Sequence, residues 1–284
     1  MGILLILLSA FSFTISSYFG KIVTNTTSMS GVVTSFSRFL LGSILMFFYI
    51  LYKRKSFKSP DIKPIVLRGI FNSISIIMFS AAYKYTTITN INMLHMTYPV
   101  FVILLAPYFT KEKIKKSTYF YLIAIMTGSY IVANPSFGNV NVGDFLALLS
   151  AVIGAFSIMY LKKSREHNEG YLIIFYVMLV GTFINIPFAY KDILNFEVSG
   201  IVPVILAALT GFLGQIFITW GYKFVDSATG SLTSTSRIVM GAVLGYLFLD
   251  EPLNLRIIIG MLFISLSLVG LSGYFDKKRE SIGN

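Results

Sequence analysis

The sequence predicts an all-α integral membrane protein, with ten transmembrane helices arranged as two inverted five-helix repeats. Three observations support this fold class. Hydrophobic residues make up 55% of the 284 positions and charged residues only 12%, which is about half the charged share of soluble domains. Ten apolar stretches follow one another with short polar breaks, and the second half of the chain repeats features of the first. This composition excludes a soluble globular protein and leaves no room for a soluble catalytic domain.

Each apolar stretch is long enough for one membrane-spanning helix, which needs about 20 residues. Helices are expected because a strand edge exposed to lipid leaves its backbone groups without hydrogen-bond partners. The predicted spans lie near residues 2–20, 31–52, 65–83, 88–109, 117–134, 143–161, 170–190, 201–222, 228–249 and 256–275.

Lysine and arginine residues predict the orientation of these spans. Of the 23 Lys and Arg residues, 16 lie in the even-numbered connections or the C-terminal tail and only four in the odd-numbered connections. Basic residues mark the cytoplasmic side of a membrane protein. We therefore expect a multi-pass protein of the bacterial inner (plasma) membrane with both termini in the cytoplasm. The net charge of +11 is then a topology signal rather than a sign of nucleic-acid binding.

The two halves of the chain resemble each other. Residues 5–10 and 146–151 share five of six amino acids, and Glu112 and Glu251 match at a spacing of 139 residues. Such matches in one order along the chain indicate an internal duplication.

The duplication divides the chain into residues 1–138 and 139–284, each with five predicted spans. Because five is an odd number, the second repeat enters the membrane from the opposite side. Inverted repeats are typical of secondary transporters, which bind their substrate near the midplane between the halves.

Short motifs follow the long fourth and ninth spans. Leu249-Asp250-Glu251-Pro252-Leu253 follows span 9, and Thr110-Lys111-Glu112-Lys113-Ile114 is its weaker counterpart after span 4. With Ser37-Arg38-Phe39 and Leu67-Arg68-Gly69, they resemble elements of the EamA-type members of the drug/metabolite transporter superfamily. The resemblance covers essentially the whole chain and implies a ten-span transporter. It leaves the substrate open, because this fold moves amino acids, nucleotide sugars, phosphorylated sugars, nucleosides and drugs.

Arg237 is the leading candidate for substrate binding. It lies near the middle of span 9, where a charge costs about 2.5–3.5 kcal/mol on insertion scales. A polar stretch, residues 231–236, precedes it, and no Asp or Glu lies deep within a predicted span. We expect Arg237 to bind a carboxylate or phosphate of the substrate in a central cavity. A structural arginine bonded to helix carbonyls is the alternative.

The repeat pairs His95 and Tyr98 of span 4 with Ser234 and Arg237 of span 9, so we expect all four side chains at one cavity. His95 acts there either as a packing residue or as a ligand or proton relay. Pro99, at mid-span, is the predicted hinge because proline frees a backbone carbonyl.

Polar and amphipathic residues on other spans are weaker candidates for the same site. Arg38 reaches either the cavity or the outer interface. Asn72 and Gln215 line the cavity or form hydrogen bonds between helices, and Trp220 is a further candidate. Arg68, near the cytoplasmic end of span 3, is interpreted as an ordinary positive-inside anchor.

These features predict a secondary transporter that moves a small anionic or zwitterionic metabolite, such as an amino acid or a related compound, by alternating access. An efflux pump for drugs or cationic compounds is the alternative, and a membrane-embedded enzyme or scaffold is a third. The sequence has no cysteine, no P-loop for ATP and no metal-ligand motif, so we expect neither a metal nor another cofactor. The expected partners are a small-molecule substrate and the lipid bilayer, with the protein a monomer or a homodimer.

Overall fold

The computed structural model describes residues 1–82, 85, 88–133, 141–248 and 253–271. Within these residues the chain forms twelve α-helices, one turn of 3-10 helix (Val198–Gly200) and no strand. The helices α1 to α12 are, in order, Gly2–Thr26, Val32–Tyr52, Ile62–Ala82, Ile88–His95, Tyr98–Phe109, Lys116–Ala133, Val142–His167, Gly170–Leu194, Ile201–Gly221, Ser227–Ser234, Ser236–Phe248 and Leu255–Leu271.

The twelve helices form ten spans because two of the spans are broken. Span 4 consists of α4 and α5, span 9 consists of α10 and α11, and each other span is a single helix. In the described part of the chain, seven segments are long and apolar enough to cross a membrane by themselves. The predicted all-α class with ten spans is confirmed. The main differences are at helix ends: α7 continues to His167, because its polar last turns keep their backbone hydrogen bonds.

The five-span halves pack around an approximate two-fold relation. Helix α1 packs along α9 as α3 packs along α7, while α2 pairs with α8 and α6 pairs with α12. When each span is replaced by its counterpart in the other repeat, the α1–α9 contact becomes the α3–α7 contact. The α2–α8 and α6–α12 pairs stay the same pairs under this exchange. Since each half has an odd number of spans, the second half runs through the membrane in the opposite direction.

Serine hydroxyls show the same relation at the level of single hydrogen bonds. Ser9 Oγ donates to the carbonyl of Gly214 at 2.8 Å, between α1 and α9. Ser75 Oγ donates to the carbonyl of Ser150 at 2.8 Å, between α3 and α7. Ser9 and Ser150 occupy equivalent positions in the two repeats, and so do Gly214 and Ser75. The same pair of positions is therefore hydrogen-bonded in both places, with Ser9 as the donor in one and Ser150 as the acceptor in the other. These small residues allow close backbone approach.

Two glycines hold α2 against α8. A Cβ atom at Gly181 would overlap the ring of Phe39, and one at Gly42 would overlap Met178. Gly42 and Gly181 are 139 residues apart, and so are Phe39 and Met178. The two helices therefore meet through two equivalent contacts that larger residues would prevent.

Both broken spans break at a threonine. Thr97 Oγ1 donates to the Leu94 carbonyl and Thr235 Oγ1 donates to the Leu232 carbonyl, each at 2.6 Å. The backbone N–H of each threonine bonds to the same carbonyl, at 3.2 and 3.1 Å, which makes a tighter turn than the α-helix. Pro99 lies in the first turn of α5, where its missing N–H costs no hydrogen bond. Span 4 thus breaks next to Pro99, whose role as a hinge stays a prediction.

Two sequence features fall outside the described residues. The predicted boundary between 1–138 and 139–284 lies in the stretch 134–140 and stays a prediction. Residues 249–252, which include Glu251 of the second motif, and the basic C-terminal tail also lie outside. Glu112 of the matching first motif is described.

Candidate substrate-binding cavity

A cavity of about 160 Å³ lies between the two repeats in the middle of the helix bundle. An apolar cavity of about 150 Å³ is large enough for benzene, so this one suits a small organic molecule. Seven of the eight predicted substrate-binding residues line it: Arg38, Asn72, His95, Tyr98, Gln215, Ser234 and Arg237.

Arg38 and Arg237 face the cavity from opposite repeats and share one aromatic ring. Their guanidinium carbons lie 5.9 and 5.3 Å from the centroid of Phe13, and that of Arg38 lies 4.8 Å from the centroid of Phe39. Arg237 also donates from Nη2 to Ser17 Oγ at 3.4 Å. Both arginines are partly exposed. Aromatic faces attract such cations, and this arrangement leaves the guanidinium groups in the cavity wall.

Arg68 is a third arginine in this wall. Its side chain is only 3% exposed, and its Nη1 donates a short hydrogen bond to Ser157 Oγ on α7. The interpretation of Arg68 as an ordinary positive-inside anchor is wrong, because α3 turns this side chain toward α7 and the cavity. Among the described residues that line the cavity, three are arginines and none is Asp or Glu.

His95 and Tyr98 lie on the two sides of the break in span 4. His95 Nδ1 is 2.8 Å from Ser150 Oγ, and this hydroxyl donates to the Ala147 carbonyl at 2.6 Å. Because a serine hydroxyl carries one hydrogen, His95 donates from Nδ1, and in the neutral ring Nε2 is then an acceptor. The Tyr98 hydroxyl donates to the Ser231 carbonyl at 3.3 Å, which connects span 4 to α10.

Three amide and hydroxyl groups complete the predicted set. The side-chain nitrogen of Asn72 is buried and donates to no described residue. Gln215 is 3% exposed, and its amide nitrogen lies 3.4 Å from Thr219 Oγ1. Ser234, the last residue of α10, donates to the Gly230 carbonyl at 3.0 Å.

Trp220 lies outside the cavity. Its side chain is 53% exposed at the end of α9 and lies beside Gly170, where α8 begins. Gln215 and Ile218 are the α9 residues in the cavity wall. Position 220 is rotated by about 200° from position 218 around the helix, so Trp220 points away from the cavity.

The predicted set of site residues does not include the serines of α1. Ser9, Ser16 and Ser17 line the cavity, and Ser16 Oγ donates to the Ala207 carbonyl at 2.7 Å. Ser9 and Ser16 are seven residues apart, which places them on one helix face. That spacing was the available signal.

The cavity extends toward one end of the bundle and is closed at the other. Its wall reaches Gly20 near the end of α1, Gly31 before α2 and Ser80 near the end of α3. At the opposite end α5 packs against α10, with Ile103 and Leu232 in one buried cluster. Helices α4 and α11 make no comparable contact among the described residues.

Glu112 adds a polar contact to the closed end. Its carboxylate accepts hydrogen bonds from Ser227, the first residue of α10, at 2.9 Å from the backbone N and 3.1 Å from Oγ. Burial raises the pKa of the Glu112 carboxyl, while the bonds from Ser227 and the nearby Lys162 charge act against this rise. Lys162 Nζ in turn donates to the Val225 carbonyl at 2.6 Å. The glutamate that follows span 4 therefore connects the first repeat to the start of α10.

Known proteins resemble the chain along its whole length. The model of the EamA-like transporter family matches residues 1–134 and 141–273. The pseudopaline exporter CntI of Pseudomonas aeruginosa is 24% identical over 273 residues, which are 95% of each chain. Solute carrier family 35 member G1 of Mus musculus is 24% identical and covers 95% of this chain and 77% of its own. An uncharacterized transporter of Helicobacter pylori is 27% identical, over 93% of this chain and 91% of its own.

A solved crystal structure has the same fold. It superposes with a TM-score of 0.73 at 14% sequence identity and covers 96% of this chain and 98% of its own. The family match, the relatives and the apolar helices agree on a multi-pass membrane transporter. The chain belongs to the EamA-like transporter family.

Proposed function

We propose that this transporter moves a small anionic or zwitterionic organic metabolite across the bacterial plasma membrane by alternating access. The observation that carries the proposal is the place of Arg237, at the break of span 9 and in the wall of the cavity between the repeats. Arg38 joins it from the first repeat. Guanidinium groups recognise carboxylates and phosphates through paired, charge-assisted hydrogen bonds.

The broken spans provide the moving parts of the proposed cycle. With both termini in the cytoplasm, the ends of α1 and α3 lie outside, so the cavity extends toward the outer side and the α5–α10 contact closes the inner side. In an inverted repeat, each half can adopt the conformation of the other. The exchanged state would bring α4 and α11 together and separate α5 from α10.

Opening of the inner side would break two contacts between the repeats. These are the hydrogen bond from Tyr98 to Ser231 and the pair between Glu112 and Ser227. A substrate bound between the arginines drives the exchange only as far as it binds one state better than the other. Tyr98 serves both parts of the cycle, since it lines the cavity and bonds to α10.

Export of cationic compounds lacks a supporting contact. A buried carboxylate is the group expected to meet a cation in a membrane, whereas the described cavity wall carries three arginines. The same charges favour a substrate that brings a carboxylate or phosphate.

Solute uptake into proteoliposomes tests the proposal. Purified protein would be given a panel of amino acids and carboxylate metabolites, and the transported compounds identified by mass spectrometry. Arg237→Ala, shown by thermal unfolding to be folded, is expected to reduce uptake at least about tenfold, because loss of one partner of a buried charge pair costs about 2 kcal/mol or more. Arg256→Ala is the matched control, since Arg256 is an exposed arginine in the first turn of α12. Unchanged uptake by Arg237→Ala would remove Arg237 from the site. Because one relative is an exporter by name, release from loaded vesicles is measured as well.

A further inference from the structure

We infer that the substrate is a small organic anion with at least two negative charges, not a zwitterion or a monoanion. The inference rests on the proposed function and specifies the substrate class of the same cavity. It starts from the three arginines that line a space of about 160 Å³.

The charge argument stands on Arg38 and Arg68 alone. The side-chain contacts of Arg38 are aromatic rings, and Arg68 donates to the Ser157 hydroxyl, so neither contact supplies negative charge. Arg38 and Arg68 carry like charges in the wall of one cavity and therefore repel each other. In a medium of low polarity such repulsion is strong. A monoanion would balance only one of these charges, and the ammonium group of a zwitterion would add another positive charge.

Buried donors in the same wall lead to the same ligand chemistry. Arg38 Nε, Arg68 Nε and Asn72 Nδ2 are buried and have no hydrogen-bond partner among the described residues. All three residues line the cavity, and all three atoms are donors. A wall rich in donors is complementary to the acceptor oxygens of carboxylates and phosphates.

The positive charges are held at two places. Arg38 and Arg237 meet at the ring of Phe13, whereas Arg68 is bound to Ser157 of α7. Arg38 and Arg68 are thus held by different helices in the wall of the same cavity, Arg38 against rings of α1 and α2 and Arg68 against α7. A ligand with an anionic group at each end can contact both places at once, and a ligand charged at one end contacts only one of them.

A series of four-carbon compounds tests this inference on the purified full-length protein. Butyrate, succinate, 4-aminobutyrate and 1,4-diaminobutane have chains of similar length but differ in charge, and glycerol 3-phosphate is a second type of dianion. Affinity is read from the rise in unfolding temperature with ligand concentration, because a ligand that binds only the folded state stabilises it. We expect succinate or glycerol 3-phosphate to bind at least about tenfold more tightly than butyrate, through additional charge-assisted hydrogen bonds. Which of the two dianions binds better distinguishes a dicarboxylate from a phosphate ester.

Arg68→Gln tests whether Arg68 binds the second anionic group of the ligand. The glutamine amide removes the charge but keeps a polar side chain in the cavity wall. Thermal unfolding checks that this variant is folded, and its affinity for the dianion should fall to that for butyrate. Arg256→Gln removes an exposed arginine outside the cavity and is expected to keep the preference for the dianion. The inference is overturned if butyrate or 4-aminobutyrate binds as tightly as the dianions, if no dianion binds, or if Arg68→Gln keeps the preference.

The two proposals fail in different ways. Arg237-dependent uptake of zwitterions, without a preference for dianions, would overturn only the inference on charge. Tight binding of dianions that depends on Arg68, without any Arg237-dependent uptake, would overturn the proposed transport. The inferred dianion-binding site would then still stand.

Discussion

Replacement of Glu112 by alanine is expected to loosen the closed end of the cavity. Glu112 lies in the connection between α5 and α6 and accepts both hydrogen bonds from Ser227, at the N-terminus of α10. Without the carboxylate, the backbone N–H of Ser227 loses its partner, and α10 separates from α5 more often.

The size of the effect follows from the two bonds and from the exposure of the carboxylate. A hydrogen bond to a charged group contributes about 1.5–3 kcal/mol when it is well buried. Glu112 is only half-buried, so solvent screening reduces this figure to about 1 kcal/mol for the pair. We therefore expect the open fraction to rise about fivefold.

Glu112→Gln separates the hydrogen bonds from the charge. Burial raises the pKa of the Glu112 carboxyl above its ordinary value of 4.5, so the closed form favours the neutral group, and a neutral amide is expected to keep the closed end intact. Because the pKa of Glu112 is raised in the closed form, protonation of this carboxyl stabilises the closed form. The stabilisation is complete below the ordinary pKa of 4.5 and is lost as the pH rises through the raised pKa. Acidification toward that window should therefore reduce opening in the wild type and change little in Glu112→Gln. Ser227, Lys162 and Asp226 are the groups that face the carboxyl.

Cysteine labelling measures this opening, since the natural sequence has no cysteine. Ala228, in the first turn of α10, is 1% exposed, so a cysteine at this position reacts with a maleimide only when the closed end opens. Its labelling rate is expected to rise about fivefold with Glu112→Ala and not to rise with Glu112→Gln. A cysteine at Ser56, which is exposed in the connection between α2 and α3, controls for the reagent. An unchanged rate with Glu112→Ala, or equal acceleration by both variants, would refute this reasoning.

Two glycine substitutions test the packing that supports the site. A Cβ atom at Gly211 would overlap Cδ of Arg38, so Gly211→Ala should weaken anion binding about tenfold, at a cost typical of overpacking; unchanged affinity in the thermal-shift assay would show that α9 does not position Arg38. Gly181→Ala should lower the free energy of unfolding by about 1–3 kcal/mol through its overlap with Phe39. Gly241→Ala is its control, since no atom lies within 4 Å of an added Cβ, and equal losses of stability would contradict the close α2–α8 contact.

The fold was predictable because the bilayer restricts the chain so strongly. Ten apolar stretches must become helices, and an odd number of spans in each repeat requires inversion. The exact ends of helices were not predictable, because their polar end turns carry no apolar signal. Helix α7, for example, continues to His167.

The break in span 9 could also have been predicted from the internal repeat. Leu94 and Thr97 have the same spacing as Leu232 and Thr235, and 138 residues separate the two pairs. Proline drew attention only to the first break, although the threonine hydroxyl makes the same hydrogen bond in both. Threonines at nearly equivalent positions, one residue out of the repeat spacing of 139, were therefore the better signal.

The cavity was predictable only in part, because the sequence gives the depth of a residue but not the neighbours that its helix face meets. Repeat arithmetic placed Tyr98 and Arg237 together, and both line the cavity. Arg68 was misinterpreted because its depth suits an anchor, whereas its helix face meets α7. Trp220 was included for its chemistry, but it lies on the face of α9 that points away from the cavity.

The proposed cycle depends on the separation of α5 from α10, and a reversible cross-link between these helices tests it most directly. Ile103 and Ala228 belong to one buried cluster across this contact, and the natural chain has no cysteine to interfere. In the double-cysteine variant we expect oxidation to stop the uptake of solutes whose transport depends on Arg237, and reduction to restore it, while each single-cysteine variant is unaffected. Uptake at the full rate with the two helices cross-linked would contradict alternating access through this cavity.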